Sequence, residues 1–314
     1  MGRIVDFMEY KNIIAQLRAI PPPRQPWLSS AMYKYEETLV SWNPMCIKNN
    51  AVYYQFTTGD KQDDFIGIVP DACVNIIFKC SSDNPVALIW GIQEGCAKIM
   101  LEPNTTYFGF KPYSLVGIKK NKTSLRDLKN YVLALEDVFG ASSIAEKIAI
   151  KSSMRERIKL FQNYAMSNLI DEKYFPDNTE YCAILICLSS GNIKLEDIER
   201  ETGYSERYCR ESFKSTYGVS LKHYSRIVRF QNALRMLMHE DWTGASDIVY
   251  KLGYFDQSHF INEFKGFSLT SPYKFRNRYM DLLSRKRTSK IINNAGTGGA
   301  KRIFERDLLE NYGG

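Results

Sequence analysis

From Ile4 to Ile20 the apolar residues Ile4, Phe7, Met8, Ile13, Ile14 and Leu17 recur at helical spacing, and PPPRQP then ends the pattern, because proline cannot continue a helix. Between Trp27 and Ile118 the texture changes to short apolar runs separated by Gly, Asn, Asp and Pro: Val52–Phe56, Val74–Phe78, Ala87–Trp90, Ile99–Leu101 and Tyr107–Phe110. This predicts a small antiparallel β domain. Helical periodicity returns after Ser124, with Leu125, Leu128, Val132 and Leu135 in one expected segment. Ile144, Ile148, Ile158, Phe161, Tyr164 and Leu169 mark later ones, expected to cover the sheet or to pair two subunits. Asp171–Thr179, with Phe175-Pro176, interrupts the pattern and is the expected domain boundary; a new helix is expected near Glu180. After Ser284 charge, Asn and Gly dominate, and a mobile basic tail is expected over 284–314.

The remaining segment repeats itself. LEDIERETGYSERYCRESFK from Leu195 and ASDIVYKLGYFDQSHFINEFK from Ala245 each read as a short helix, a Gly-Tyr turn, a capping residue and a second helix. In the first copy Leu195 and Ile198 face inward, Gly203 permits the sharp turn, Ser205 caps, and Cys209 and Phe213 return to the core. In the second copy Ile248 and Leu252 precede Gly253, Asp256 caps, and Phe260 and Phe264 keep the same four-residue interval. Between the copies, Leu221–Met238 carries an apolar stripe (Leu221, Tyr224, Ile227, Val228, Ala233, Leu234, Leu237, Met238) and reads as one amphipathic helix. The fold class expected is therefore α+β. It comprises an amino-terminal helix and proline-rich arm (1–24), a β-rich domain with helices (25–175) and an all-α domain of two helix-turn-helix units joined by a long helix (180–283).

A helix-turn-helix presents the amino-terminal turns of its second helix to a major groove. With Cys209 and Phe213 buried, Arg207, Arg210, Glu211 and Lys214 lie outward; in the second unit Gln257, Ser258, Ile261, Asn262 and Lys265 do. Arg suits guanine, Asn and Gln suit adenine, and Glu suits cytosine N4, so Arg207, Arg210, Glu211, Gln257, Ser258 and Asn262 are the candidate base readers. Lys214, Arg226, Arg229, Lys265 and Arg276 are the candidate phosphate contacts. A helix of about 18 residues at roughly 1.5 Å each spans about 27 Å, which with half a helix-turn-helix at each end can set two recognition helices about 34 Å, one DNA turn, apart.

Leu195–Met280 resembles the DNA-binding domain of the AraC/XylS family of bacterial regulators. GYSERYCRESFK at Gly203, YGVSLKHYSRIVRFQNALRML at Tyr217 and LGYFDQSHFINEFKGFSLTSPYKFR at Leu252 carry the resemblance, including Ser271-Pro272 and Phe275-Arg276. It implies a seven-helix domain whose recognition helices begin at Glu206 and Gln257 and read adjacent grooves. Leu269 stands where the family has a glycine, Asn262 where arginine is common, and Glu199 and Val249 where alanine is common. IVPDACVNIIF, TYFGFKP and LEDVFG resemble the β-rich sensing domain found ahead of such domains, which implies effector sensing or dimerisation. The partners so indicated are a double-stranded DNA operator, RNA polymerase, a small organic effector and a second copy of the chain.

Composition narrows the chemistry. The chain has 314 residues, net charge +7 and 44% hydrophobic residues, which fits a two-domain globular protein and permits an anionic partner. Arg3, Asp6, Glu9 and Lys11 break any signal-peptide core and no run approaches a membrane span, so a cytoplasmic protein without a membrane partner is expected. The seven cysteines, without a CxxC pair, are expected as reduced thiols, and all three histidines (His223, His239, His259) fall in the helical repeat. No metal site and no cofactor are therefore expected in the β domain. Cys73, Cys80 and Cys96 read as small buried hydrophobes before they read as a thiol sensor. Trp42, Tyr54, Phe56, Phe78, Trp90 and Phe110 are candidates for an apolar effector pocket or for ordinary sheet core. No P-loop, Gly-x-Ser-x-Gly, His-Glu-x-x-His or alkyl-accepting Pro-Cys-His occurs, so no catalytic residue is assigned and an enzyme is not expected. The competing class is a helical protein-interaction module without sequence-specific DNA binding, whose binding need be neither salt- nor sequence-dependent.

Overall fold

The computed structural model describes residues 21–32, 34–41, 50–60, 66–112, 126–140, 142–169, 178–242 and 244–295. The helix expected over Ile4–Ile20, Trp42, residues 171–177 of the expected boundary and the chain beyond Ala295 lie outside these residues. A short helix α1 (Pro26–Ala31) leads into strands β1 (Lys34–Ser41), β2 (Asn50–Thr57), β3 (Ile66–Ile68), β4 (Asn75–Lys79), β5 (Val86–Trp90), β6 (Ala97–Ile99), β7 (Thr106–Pro112) and β8 (Val132–Ala134). Six of them form one antiparallel sheet in the order β1-β2-β7-β4-β5-β8, and β3 pairs with β6.

Strand alternation sends side chains to two faces, and both are buried. On one face Tyr53, Phe78, Phe108 and Phe110 gather around Phe161, with Phe110 and Phe161 ring centres 4.9 Å apart. Phe161 lies on α4 (Met154–Asn168), which with α2 (Leu135–Phe139) and α3 (Ile144–Ala149) covers that side. On the other face Val52, Tyr54, Phe56, Ile77, Trp90 and Tyr107 pack with Leu28 and Met32 beside α1 and with Ile66 and Ile68 of β3. Gly109 sits opposite Tyr54 across the β2–β7 ladder, where a Cβ would lie 2.1 Å from the Tyr54 ring. The helix expected through Leu125, Leu128, Val132 and Leu135 is corrected: residues 126–130 turn, Asn130 takes φ 61°, and Val132–Ala134 pairs with β5 as an edge strand. Pairing with a sheet overrode an apolar spacing that also suits a helix.

The carboxy-terminal part is all helix: α5 (Asn178–Leu188), α6 (Leu195–Thr202), α7 (Glu206–Tyr217), α8 (Leu221–Met238), α9 (Ala245–Leu252), α10 (Gln257–Ser268) and α11 (Pro272–Ala295). The long α8 is the hub, burying Tyr224, Ile227, Phe230, Ala233, Leu234 and Leu237. The mobile tail expected from Ser284 is corrected in its first part, because α11 runs through Ser284 to Ala295 and Lys286 Nζ donates to Ser29 O at 2.9 Å.

The apolar core on the helical face of the sheet continues without a break into these helices. Residues 21–29 run between the two parts. Gln231 on α8 accepts from Arg24 N at 2.8 Å and donates to Pro70 O at 2.8 Å; Arg235 donates to Pro21 O and Pro22 O. From the sheet, the buried Lys111 donates to Pro23 O and pairs with Asp71 at 3.2 Å. Trp27 packs at a tilt against Phe275 of α11 with ring centres 4.5 Å apart. A second bridge joins His223 Nε2 to Glu94 O at 3.0 Å.

Candidate nucleic-acid interface

Each helical repeat turns through a glycine. Gly203 and Gly253 close α6 and α9 with φ of 69° and 66°, a left-handed conformation that an L side chain adopts at a cost. A Cβ on Gly253 would also lie 2.3 Å from the Asn192 amide. The next helix of each pair then starts at a side-chain cap: Ser205 Oγ accepts from Tyr208 N at 3.3 Å, and Asp256 Oδ1 accepts from His259 N at 2.7 Å. Cys209, Phe213 and Tyr217 bury one face of α7; Phe260, Phe264 and Phe267 bury the matching face of α10. The outer faces are left to polar side chains.

On α7, Arg207, Arg210, Glu211 and Lys214 are exposed, as the periodicity requires. Two i,i+4 pairs run along this face, Arg207–Glu211 at 3.0 Å and Arg210–Glu206 at 2.9 Å. Exposed pairs of this kind hold with about 0.3–0.5 kcal/mol and separate readily. On α10, Gln257, Ser258, Asn262 and Lys265 are exposed and Ile261 is half-buried; Gln257 Nε2 donates to Ser246 Oγ on α9 at 3.0 Å.

The candidate phosphate contacts divide. Lys214 and Lys265 are exposed, whereas Arg226 and Arg229 converge on Glu263. Glu263 has a side chain only 3% exposed and accepts from Arg226 Nε at 2.7 Å and from Arg229 Nη2 at 2.8 Å. Arg229 also lies 4.5 Å over the ring of Tyr254, whose hydroxyl is pushed well up by burial and by the nearby Glu263 carboxylate. Arg276 is directed inward: it donates to the carbonyls of Leu237, His239 and Glu240 at the end of α8 and lies 5.0 Å over Trp242. Arg229 and Arg276 thus close off helix ends and interfaces, a use of arginine that sequence spacing does not separate from phosphate contact.

Three side chains on this surface escape the sequence reading. Tyr208 is exposed on α7 and stacks on Tyr204 at 4.7 Å; Lys222 is exposed on the first turn of α8; Glu263 is buried at the junction of α8 and α10. Tyr208 follows from the outward arc of α7. Glu263 carried no signal, since a lone Glu on an amphipathic helix is ordinarily solvated.

The candidate pocket residues do not converge. Tyr54, Phe56 and Trp90 lie on one face of the sheet and Phe78 and Phe110 on the other, so the five cannot line a single pocket. Cys73 is buried beside Asp71, whose carboxylate accepts from the Cys73 amide at 3.1 Å, and burial pushes its thiol up. Cys187, under α8, is likewise pushed up to about 11 by burial. Among the described residues no group of three or more His, Cys, Asp or Glu is placed to hold a metal ion, and no helix is long and apolar enough to cross a membrane.

Paired turns with capped, outward-facing second helices on a common linker define a DNA-binding transcription regulator of the tandem helix-turn-helix class. A helix-turn-helix domain family model matches residues 198–278. The probable transcription factor PqrA of Proteus vulgaris is 33% identical over 84 residues, which cover 27% of this chain and 68% of PqrA. Solved structures of ToxT from Vibrio cholerae are similar at lower level. An apo form has 12% identity and a TM-score of 0.40 over 77% of this chain and 96% of that one; a second crystal form has 12% and 0.39 over 78% and 98%. The chain belongs to the AraC family of transcription regulators, with a β domain ahead of its DNA-binding helices.

Proposed function

We propose that this regulator reads an asymmetric operator of two boxes about one helical turn apart, with α7 in one major groove and α10 in the next. The observation that carries this reading is the repetition of one unit at both ends of α8, an 18-residue helix, each copy with a left-handed glycine turn, a capped helix and an exposed polar face. Arg207, Arg210, Glu211, Gln257, Ser258 and Asn262 are the proposed base readers, and Lys214, Lys265 and Arg226 the proposed phosphate contacts. The DNA-binding unit is assigned to 180–283 and the modulating unit to 25–175. The amino-terminal unit acts on α8 through the arm at 21–24, held by Gln231 and Arg235, and through Glu94, held by His223, and is in turn modulated by a small molecule or by dimerisation.

Selection from random duplexes with the full chain, at two salt concentrations, tests the reading. Enrichment of two boxes about 10–10.5 base pairs apart is expected. Arg207→Ala and Asn262→Ala are expected to relax preference at particular base pairs by about 1–3 kcal/mol, and Lys214→Ala to weaken all sequences alike. A folded protein that enriches no sequence overturns the proposal in favour of a protein-interaction module.

A further inference from the structure

Between α7 and α10 the surface is concave. A cavity of about 820 Å³ opens there, lined by Arg210 of α7 and Asn262 of α10, with Lys222, Arg226 and Arg229 of α8 forming its floor. Two proposed base readers therefore line one basic trough. We infer that this trough seats the sugar-phosphate backbone that separates the two major grooves, with Lys222 and Arg226 as its phosphate contacts and Glu263 as the residue that positions Arg226. The inference rests on the reading of two successive grooves proposed above.

The physical reason is geometric. A body that reaches two successive major grooves from one side must pass the minor groove and its flanking phosphates between them, so the surface between its recognition helices has to be recessed and cationic. Here three cations on the floor stand against one carboxylate, Glu263, which is almost wholly buried at its deep end. Glu263 takes Arg229 with two nitrogens, at 2.8 and 3.1 Å, and so neutralises the inner arginine. It takes Arg226 through Nε at 2.7 Å, and the Arg226 guanidinium lies 5.3 Å over the Phe267 ring. Gripped at Nε and held over a ring, a half-exposed guanidinium keeps its Nη pair as a fixed fork of the kind that takes two phosphate oxygens together. Lys222, exposed one turn earlier, supplies a point charge on the same floor.

Phosphate-ethylation interference on the selected operator, with the full-length protein, is the test. Ethylation of phosphates between the boxes is expected to block the wild-type complex. Arg226→Ala and Lys222→Ala are each expected to abolish that interference locally, to leave interference outside the boxes unchanged, and to reduce the slope of log K against log salt by about 0.9. Arg226→Lys is expected to restore the slope and to leave the interference weak, since it keeps the charge and loses the fork. Lys222 is exposed, so its variant is readable even where Arg226→Ala impairs folding. Two boxes selected with ethylation tolerated between them, or variants that keep the wild-type pattern, overturns the trough while leaving groove reading intact. If no operator is selected at all, groove reading fails and the trough with it.

Discussion

Leu269 is the residue where this chain departs most visibly from its own pattern. It ends α10 with φ 61°, the conformation that Gly203, Gly218 and Gly253 adopt at the other helix ends, and its side chain is 67% exposed. A leucine there brings its Cβ close to its own carbonyl and leaves most of its side chain in water. Leu269→Gly is expected to stabilise the protein by roughly 0.5–1 kcal/mol, the relief of left-handed strain exceeding the added freedom of the unfolded chain, as measured by the midpoint of urea unfolding. A lower midpoint would mean that the exposed side chain contributes a contact. Glu263 makes the opposite case: it obeys the helical pattern, yet only the approach of α8 makes it an ion-pair centre.

Among the elements, α10 depends on its start. Asp256 has extended backbone and its carboxylate takes the His259 amide, so the exposed first turn, with Gln257 and Ser258, is organised by one side chain. Asp256→Ala is expected to cost about 1 kcal/mol of stability and to weaken operator binding more at the box read by α10 than at the box read by α7. Equal loss at both boxes would show that the cap serves the whole fold and not this helix. Most of the elements were legible in advance. The capping residues, glycine turns and apolar four-residue intervals of α6, α7, α9 and α10 are local signals, and the helices follow them within a residue or two. Strand β1 and strand β8 were not legible: KYEETLVS alternates poorly and Val132–Ala134 sits in a helical spacing, and each becomes a strand by pairing at a sheet edge.

At the scale of the whole molecule the two parts share a core and a strap. Gln231 is 4% exposed and accepts from Arg24 N while donating to Arg24 O and Pro70 O, so one side chain ties strap, sheet loop and α8 together. Gln231→Leu removes the side-chain partner of Arg24 N, Arg24 O and the buried Pro70 O, and is expected to cost roughly 1–3 kcal/mol. Calorimetry is expected to show a broadened or split transition in place of one, because the helical unit then melts with less help from the sheet. An unsplit transition at the wild-type midpoint would remove the strap from any account of coupling.

By itself the sequence determined the class: a repeated unit, its capping chemistry, the outward polar sets and a β-rich region ahead of them, all of which rest on interactions within one turn or one strand. Only the tertiary structure decided which charges are spent inside the molecule. Arg229 and Arg276 serve helix junctions, Lys111 serves Asp71 and the proline strap, and Glu263 holds the floor of the trough. It also decided that Tyr54 and Phe78 look to opposite faces of one buried sheet. These outcomes depend on groups far apart in the chain meeting where water is excluded, and no periodicity encodes which distant partner a side chain will meet.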